Sequence, residues 1–265
     1  MAPDPAAPTP ADALEIAVGA ARAAAAILVE RFRRPAQGVR SKSTATDLVS
    51  EADERAEQAV VAFIKGRRPL DAVIAEEGSG HEGRNGIRWL VDPLDGTINY
   101  LYGQPHWCVS IACADTDGGL AGVVYDPTRD ELFTAARGGG ARLGGRPLAV
   151  SAVAAPSMAL VGTGFSYDAT ERATQAALVA RIAGRVRDLR RAGSAALDLA
   201  WVAAGRLDAY FEVSRSPWDS AAGELLVREA GGAVTWTDHG EIVASGRPLH
   251  APLVSLLRAS HERPV

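Results

Sequence analysis

Residues 87–100, I-R-W-L-V-D-P-L-D-G-T-I-N-Y, constrain the arrangement of the whole chain. An apolar strand runs there into two carboxylates, Asp92 and Asp95, which a Pro/Gly turn holds just before Gly96 and Thr97. Negative charge where a core stops needs compensation, and Mg²⁺ supplies it because it prefers carboxylate and carbonyl oxygens and leaves room for phosphate. The Gly96 and Thr97 amides stand at a turn that opens a helix, which favours an anion. These residues therefore predict a combined metal and phosphate site.

Length and composition are those of an ordinary globular protein. The 265 residues suffice for one large domain or two packed halves, with 47% hydrophobic and 23% charged residues. A net charge of −4 creates no field that would attract nucleic acid or an anionic membrane, so neither is expected as a partner. No apolar run approaches the roughly 20 residues of a membrane span. Residues 1–10 lack the features of a signal peptide, and we expect a disordered tail there.

The two cysteines, Cys108 and Cys113, lie in one apolar run that is predicted as a strand. At this spacing their side chains point to opposite faces and cannot readily bridge, so we expect two buried thiols in a reducing, cytoplasmic compartment. The five histidines are scattered and match no zinc-ligand spacing, so a zinc site is not expected.

Helix and strand patterns divide the chain into two halves. Residues 11–150 hold two predicted helices, one from the T-P-A-D start at Thr9 to about Arg34 and one from Ser50 to about residue 65, followed by mostly hairpin-connected strands. Residues 151–265 alternate strands with helices and end in a helix over residues 252–261. We therefore expect an N-terminal α+β half with the metal site, packed against a C-terminal α/β half with the substrate pocket.

Acidic residues stand at element boundaries in four places: Asp53, the pair Glu76 and Glu77, the pair Asp92 and Asp95, and Asp219. Three of these lie at strand ends or strand-to-helix junctions, which converge on one edge in layered α/β folds. Asp92 and Asp95 could then serve two adjacent ions, with Asp219 completing one ligand set and Glu76 the other. Two such ions suit an in-line displacement at phosphorus.

Each acid also has an ordinary structural explanation. Asp53 fits the N3 position of a capping box with Ser50, and Glu76 and Glu77 fit a solvated strand end. Asp92 fits the first position of an Asx turn, and Asp219 fits a helix N-cap. The convergence of all four places favours the metal site over four unrelated structural roles.

A different phosphatase chemistry is disfavoured by the spacing of the acids. Loops of the form D-x-D-x-T use the first aspartate as a covalent nucleophile, and D-P-L-D-G-T resembles one superficially. Here two residues separate Asp92 from Asp95, which in an extended segment changes the face that each side chain occupies. Attack by water, without a phosphoenzyme, is the expected route.

Several long motifs resemble the inositol monophosphatase family of metal-dependent phosphatases. The two signatures are W-L-V-D-P-L-D-G-T-I-N-Y and W-D-S-A-A-G-E-L-L-V-R-E-A-G-G, and the other matches are D-L-V-S-E-A-D, A-E-E-G and R-R-A-G-S-A-A-L-D-L-A-W-V-A-A-G-R-L-D-A-Y-F-E. The resemblance covers about residues 11–245 and implies an α+β and α/β layered fold, an α-β-α-β-α sandwich. It departs from the family pattern in small ways, such as Tyr100 where Phe is more usual.

The resemblance also implies a role for individual residues. Two or three Mg²⁺ ions would be held by Glu76, Asp92, the Leu94 carbonyl, Asp95 and Asp219. The attacking water would be oriented by Glu76 and by Thr97, which would bond to Asp53. The substrate would contact Asp95, Gly96, Thr97, Gly193, Ser194, Ala195, Glu212 and Asp219. Lys42 and Glu77 match accessory positions beside the metals.

The resulting expectation is Mg²⁺-dependent hydrolysis of a small phosphate monoester, foremost myo-inositol monophosphate, by a cytoplasmic homodimer. Histidinol phosphate, fructose 1,6-bisphosphate and nucleotide 3′-phosphates are alternative substrates for the same chemistry. An alternative of another class is a regulatory factor that binds a protein or RNA complex through a phosphatase fold. The clustered acids argue against that role as the sole function, because an inert scaffold has no need for them.

Overall fold

The computed structural model describes residues 7–42, 48–213 and 216–261. Its helices are α1 Pro10–Arg31, α2 Glu51–Arg67, α3 Thr97–Leu101, α4 Ala169–Ala183, α5 Ala195–Ala203, α6 Pro217–Glu229 and α7 Arg247–His261. The strands of the first half are β1 Arg40–Ser41, β2 Leu48–Val49, β3 Ala72–Ala75, β4 Arg88–Asp95, β5 Cys108–Asp115, β6 Gly118–Asp126, β7 Glu131–Ala136, β8 Gly140–Leu143 and β9 Arg146–Pro147. Those of the second half are β10 Leu160–Thr163, β11 Asp188–Arg190, β12 Ala209–Val213, β13 Ala233–Trp236 and β14 Glu241–Ser245.

Two large sheets carry the fold. The first has seven strands in the order β3-β4-β5-β6-β7-β8-β9, with β3 parallel to β4 and antiparallel pairing from β4 onward. The second has five strands in the order β11-β10-β12-β14-β13, in which β10 pairs in parallel with both neighbours. Hairpin connections explain the antiparallel first sheet, and helical crossovers explain the parallel pairs of the second.

Three apolar layers join the helices and sheets. One core lies between the seven-stranded sheet and the pair α1 and α2. A second core fills the space between the two sheets around α5 and α6, and a third lies between the five-stranded sheet and the pair α4 and α7. The expected α-β-α-β-α sandwich is confirmed. Because α5 and α6 pack on both sheets, residues of the second half reach the end of β4.

Local signals explain where the helices begin. The Thr9 hydroxyl accepts a hydrogen bond from the Asp12 amide at 3.2 Å, and the Asp12 carboxylate accepts one from the Thr9 amide at 3.2 Å. Such reciprocal caps satisfy amides that would otherwise lack partners at a helix start. The tail predicted for residues 1–10 lies mostly outside the described residues, and its last residue, Pro10, begins α1.

The C-terminal helix begins earlier than the sequence predicts. Helix α7 starts at Arg247, so Pro252 lies inside it and not at its first turn. Leu249 and Leu253 are both fully buried. Burial of these two leucines against the five-stranded sheet offsets the backbone hydrogen bond that proline cannot donate.

The two cysteines behave as predicted. Both are free and buried. Cys113 packs in the core beneath α1 and α2, whereas Cys108 packs in the core between the two sheets. Their side chains therefore lie on opposite faces of β5, as the alternation of a strand requires. Within the described residues, no helix is long and apolar enough to cross a bilayer.

Candidate active site

A cavity of about 220 Å³ opens where the end of β4 meets the N-termini of α5 and α6. Most of the predicted site residues line it, namely Glu76, Asp92, Leu94, Asp95, Gly96, Thr97, Gly193, Ser194, Ala195, Glu212 and Asp219. Asp53 and Lys42 stand behind this lining and contact it through hydrogen bonds to Thr97 and Glu76, and Glu77 is bound to Lys42 in turn. Carboxylates from four separate segments of the chain thus line one space.

A β-bulge explains how two aspartates three positions apart share that space. In the pairing of β4 with β5, Asp92 stands opposite Ser110 and Asp95 opposite Cys108, so β4 carries one extra residue. Without the bulge, positions i and i+3 of a strand would point to opposite faces. The extra residue re-aims the second side chain, which is a common use of bulges beside active sites.

Gly96 continues the turn after the bulge in a conformation that favours glycine. Its φ is +94°, in the left-handed region, and it precedes the first residue of α3. A Cβ at this position would lie 2.9 Å from the His106 carbonyl oxygen. Glycine is therefore required both by the backbone angle and by the close approach of the next strand.

Asp92 takes the local role that its sequence context suggests and also lines the cavity, whereas Asp219 does not take its suggested role. Asp92 does form an Asx turn, since its Oδ1 accepts a hydrogen bond from the Leu94 amide at 2.9 Å, yet it also lines the cavity. Asp219 is not an N-cap: Ser216 occupies that position and Asp219 is the third residue of α6. A side chain in the first turn of a helix points past the N-terminus, which turns this carboxylate toward β4.

Asp95 is held by the second half of the molecule. Its Oδ2 accepts hydrogen bonds from the Ser194 hydroxyl at 2.6 Å and from the Ala196 amide at 2.7 Å. Ser194 caps α5, so Asp95 also gains from the positive end of that helix. Ser194 is predicted to contact the substrate, and the structure additionally makes it a partner of a predicted metal ligand.

Thr97 and Asp53 form a buried pair at the back of the site. The Thr97 hydroxyl lies 3.1 Å from Asp53 Oδ1 and 3.0 Å from the Leu94 carbonyl oxygen. The other oxygen of Asp53 accepts the Ser50 amide at 3.0 Å. The capping role and the contact with Thr97, which stood as alternatives for Asp53, therefore coexist.

Lys42 bridges two carboxylates at the edge of the site. Its Nζ donates to Glu76 at 2.7 Å and to Glu77 at 2.6 Å. Although burial opposes its charge, these two partners raise the pKa of Lys42 above its ordinary value. Burial raises the pKa of Glu77 to about 7 despite the ion pair. Lys42 thus compensates only part of the negative charge at this end of the cavity.

The carboxylates in the cavity repel one another in a poorly solvated space. Burial raises the pKa of Asp92 well above its ordinary value, and the charges of Glu76, Asp95 and Asp219 raise it further. Burial also raises the pKa of Asp95 to about 6, although Ser194 and Ala196 lower it. Burial, followed by the charges of Asp95 and Glu76, raises the pKa of Asp219 to about 8. The cluster therefore favours any bound positive charge.

The oxygen donors that line the cavity are of the kinds that bind Mg²⁺, but their side chains would have to move to bind an ion. The lining offers carboxylate and carbonyl oxygens from Glu76, Asp92, Leu94, Asp95 and Asp219, which suits a hard cation. Across residues 7–42, 48–213 and 216–261, no three Asp, Glu, His or Cys side chains are already arranged as ligands of one ion. Glu76 is engaged by Lys42, and Asp95 by Ser194. An ion bound there would have to replace those partners.

The far wall of the cavity is built around Glu212. Its carboxylate accepts a hydrogen bond from the Tyr210 hydroxyl, and a Cβ on Gly164 would overlap it. Burial raises the pKa of Glu212 to about 7, while the bond from Tyr210 lowers it. Gly164 follows β10 directly, so an absent side chain at the end of one strand makes room for a carboxylate from its neighbour β12.

Sequence reasoning assigned no site role to several further lining residues, namely Thr163, Gly164, Phe165, Tyr167, Asp198, Tyr210 and Trp218. Arg191 also lines the cavity. Four of the missed residues follow or end β10, and the carboxyl end of a parallel strand is a usual place for ligand contacts. That rule would have identified them once β10 was known to be parallel to its neighbours.

This chain is similar to known proteins both in sequence and in structure. Residues 10–263 match the model of the inositol monophosphatase family. The Nus factor SuhB of Escherichia coli K12 is 43% identical over 224 residues, 84% of each chain. The Nus factor SuhB of Pseudomonas aeruginosa is 40% identical over 258 residues, 92% of this chain and 95% of the relative.

Solved structures superpose over nearly the whole chain. The inositol monophosphatase from Anabaena shares 38% identity with a TM-score of 0.82, over 95% of this chain and 96% of that one. The extragenic suppressor protein suhB from Bartonella henselae shares 37% identity with a TM-score of 0.86, over 94% of this chain and 98% of that one. With these matches, this chain belongs to the inositol monophosphatase family of metal-dependent phosphatases.

Proposed function

We propose that this protein hydrolyses a small phosphate monoester with Mg²⁺, and that myo-inositol monophosphate is the preferred substrate. One observation carries the proposal: carboxylates of Glu76, Asp92, Asp95 and Asp219 share a cavity with the Gly96–Thr97 turn. An ordinary fold has no reason to collect four acids at such electrostatic cost. Cations bound among these carboxylates would lie beside that turn and would suit a phosphate dianion.

Bound Mg²⁺ would neutralise the phosphate, activate water and stabilise the leaving oxygen. Thr97 would orient the attacking water. Its hydroxyl has one proton, and the Asp53 carboxylate is a stronger acceptor than the Leu94 carbonyl. When Thr97 donates to Asp53, its lone pairs are left to accept a hydrogen bond from water in the cavity. Glu76, whose Oε1 contacts Lys42, has a second oxygen to accept the other hydrogen of that water.

The opposite end of the cavity would hold the alcohol. Glu212 accepts hydrogen bonds, and Gly193, Ser194 and Ala195 add backbone and hydroxyl groups at the start of α5. A ring that carries several hydroxyls satisfies such groups better than an apolar alcohol does. Histidinol phosphate, fructose 1,6-bisphosphate and nucleotide 3′-phosphates remain alternative substrates for the same phosphate end.

Phosphate release across a substrate panel tests the proposal. The panel contains inositol 1-phosphate, histidinol phosphate, fructose 1,6-bisphosphate and adenosine 3′-phosphate, each with Mg²⁺ and with chelator. We expect release only with Mg²⁺ and the highest kcat/KM for inositol 1-phosphate. Release that persists in chelator would refute the metal-dependent mechanism. A higher kcat/KM for another substrate would show that inositol monophosphate is not the preferred substrate.

A second candidate function is the binding of a regulatory protein or RNA complex. It is favoured by the names of the relatives from Escherichia coli and Pseudomonas aeruginosa, both called Nus factor SuhB. It would coexist with catalysis. Capture of partners from a lysate by wild-type protein and by an Asp92→Asn variant, with and without Mg²⁺, tests it: specific capture supports binding, and capture no greater than by an unrelated acidic protein rejects it.

We further propose a homodimer in the cytoplasm, organised as an N-terminal half over residues 11–150 and a C-terminal half over residues 151–265. The free, buried state of Cys108 and Cys113 supports a reducing compartment. Light scattering coupled to size-exclusion chromatography measures the mass directly. A mass of 27.6 kDa, that of one chain, would contradict the dimer.

A further inference from the structure

Asn99 belongs to the signature that carries the acids, yet the proposed chemistry assigns it no role. It lies in α3, two residues beyond Thr97, and only 7% of it is exposed. Its Nδ2 lies 2.7 Å from the His106 carbonyl oxygen, 2.9 Å from that of Ala192 and 3.4 Å from that of Gly193. One side-chain amide thus serves three carbonyls from two distant parts of the chain.

The surroundings determine which way this amide faces. Carbonyl oxygens can only accept hydrogen bonds, so the nitrogen and not the oxygen of Asn99 must point toward them. Its two hydrogens satisfy the carbonyls of His106 and Ala192, and the longer contact to Gly193 adds a weaker interaction. An aspartate of the same shape would present a negative oxygen to the same three acceptors.

The carbonyls that Asn99 holds belong to the two ends of the site. The His106 carbonyl oxygen is the atom that packs closely against Gly96 in the turn proposed to bind phosphate. Ala192 and Gly193 lead directly into Ser194 and the start of α5, at the alcohol end.

Gly193 leaves room for this contact. Its φ is +95°, and a Cβ there would lie 3.0 Å from Asn99 Nδ2. A side chain at that position would require a left-handed backbone that favours glycine, and it would crowd the amide of Asn99 as well as Arg191, whose Nη1 would lie 2.8 Å away.

We propose that Asn99 is a positioning residue that fixes the alcohol-binding segment, residues 192–196, at a set distance from the phosphate turn, and so determines the preference for a polyhydroxylated alcohol. The inference rests on the proposed function. Asp95 is held independently by Ser194 and Ala196, so loss of Asn99 leaves this predicted metal ligand attached to the start of α5. The phosphate chemistry should therefore survive while recognition of the alcohol loosens.

The test compares Asn99→Ala with a matched control, Asn85→Ala. Asn85 also donates through Nδ2 to a buried partner, Asp71 at 2.7 Å, but it precedes the opposite end of β4 and does not line the cavity. For each protein, kcat and KM are measured with inositol 1-phosphate and with phenyl phosphate, whose alcohol carries no other hydroxyl. Hydrogen exchange of residues 192–196 is measured by mass spectrometry on the same samples.

We expect Asn99→Ala to raise KM for inositol 1-phosphate at least about tenfold, because misplacement by a fraction of an ångström weakens oriented contacts strongly. The values for phenyl phosphate should change less than about threefold, and exchange over residues 192–196 should accelerate. Asn85→Ala should lower the melting temperature without either change. Asn99→Ser keeps one donor and should lie between wild type and Asn99→Ala, which preserves the test if the alanine variant does not fold.

An unchanged ratio of kcat/KM between the two substrates in a folded Asn99 variant would overturn the inference, as would the same shift in Asn85→Ala. If the wild-type protein releases phosphate from no substrate, the proposed function fails instead. In that case hydrogen exchange alone tests whether Asn99 fixes residues 192–196. Unchanged exchange over these residues in the Asn99 variants refutes that role, and faster exchange in the Asn99 variants but not in Asn85→Ala supports it.

Discussion

Substitution of Gly164 by alanine should impair recognition of the alcohol without unfolding the protein. The Cβ of alanine would overlap the Glu212 carboxylate, which must retreat by more than about 1 Å to reach the separation of ordinary contacts. The overlapped atoms are the flexible end of a side chain, so rotation of Glu212 relieves the clash while the pairing of β10 with β12 is retained.

The size of the effect follows from that displacement. A misplacement of about 1 Å costs on the order of 100-fold in rate, which corresponds to about 2.7 kcal/mol of transition-state stabilisation. We therefore expect kcat/KM for inositol 1-phosphate to fall about 100-fold in Gly164→Ala. Phenyl phosphate offers Glu212 no hydroxyl, so its kcat/KM should stay within about threefold of wild type.

Steady-state phosphate release with both substrates measures the two values, and thermal melting checks the fold. Gly66→Ala is the matched control, because Gly66 lies in α2 with no atom within 4 Å of the new Cβ. It should be kinetically silent and more stable by about 0.5–1 kcal/mol. The reasoning is refuted if Gly164→Ala leaves kcat/KM for inositol 1-phosphate unchanged, or if both substrates lose activity equally.

Three further predictions concern charge. Asp92→Asn should reduce Mg²⁺-dependent phosphate release by at least about 1,000-fold yet not lower the melting temperature in chelator, because it removes a repelled buried carboxylate; near-normal turnover would contradict the assignment. Mg²⁺ affinity, measured by calorimetry, should rise from pH 6 to pH 8 as Asp95 and Asp219, with pKa values of about 6 and 8, lose protons. Both pKa values exceed those of about 4 that these carboxyls have in the unfolded chain. The free energy of unfolding in chelator should therefore fall over the same rise in pH, and an unchanged free energy would contradict both raised pKa values. Asp71→Ala should cost about 3–5 kcal/mol in urea unfolding because it removes a fully buried carboxylate that binds Arg68 at 2.9 and 3.0 Å and also accepts hydrogen bonds from Asn85 and Trp89, and a loss below about 1 kcal/mol would show that these bonds are dispensable.

Local patterns in the sequence predict the elements well where burial follows a period. The alternation of β5 specifies that Cys108 and Cys113 enter different cores, and this prediction is confirmed. The pattern is weaker at α7, where Pro252 suggests a helix start. There the buried Leu249 and Leu253, whose partners come from the second sheet, extend the helix to Arg247.

From the sequence, a structural role and a site role are alternatives for single residues such as Asp53 and Asp92, but in the folded chain one residue fills both roles. Asp53 accepts bonds from both Ser50 and Thr97, and Asp92 forms its Asx turn while it faces the cavity. A carboxylate has two oxygens with several lone pairs, so one oxygen can serve local structure and the other the site. Sequence spacing identifies the candidates for each role but does not reveal that one side chain fills both.

The sequence alone determined the kinds of groups in this protein and their local order: a strand that ends in acids, a turn that demands glycine, and oxygen donors suited to Mg²⁺. The tertiary structure alone decided which of their atoms meet. The bulge turns Asp92 and Asp95 to one side, Ala196 reaches Asp95 from 101 positions away, and Gly164 makes room for Glu212. Periodicity is a property of neighbours along the chain, whereas register shifts and close approaches depend on how distant elements pack, and the site is built from the latter.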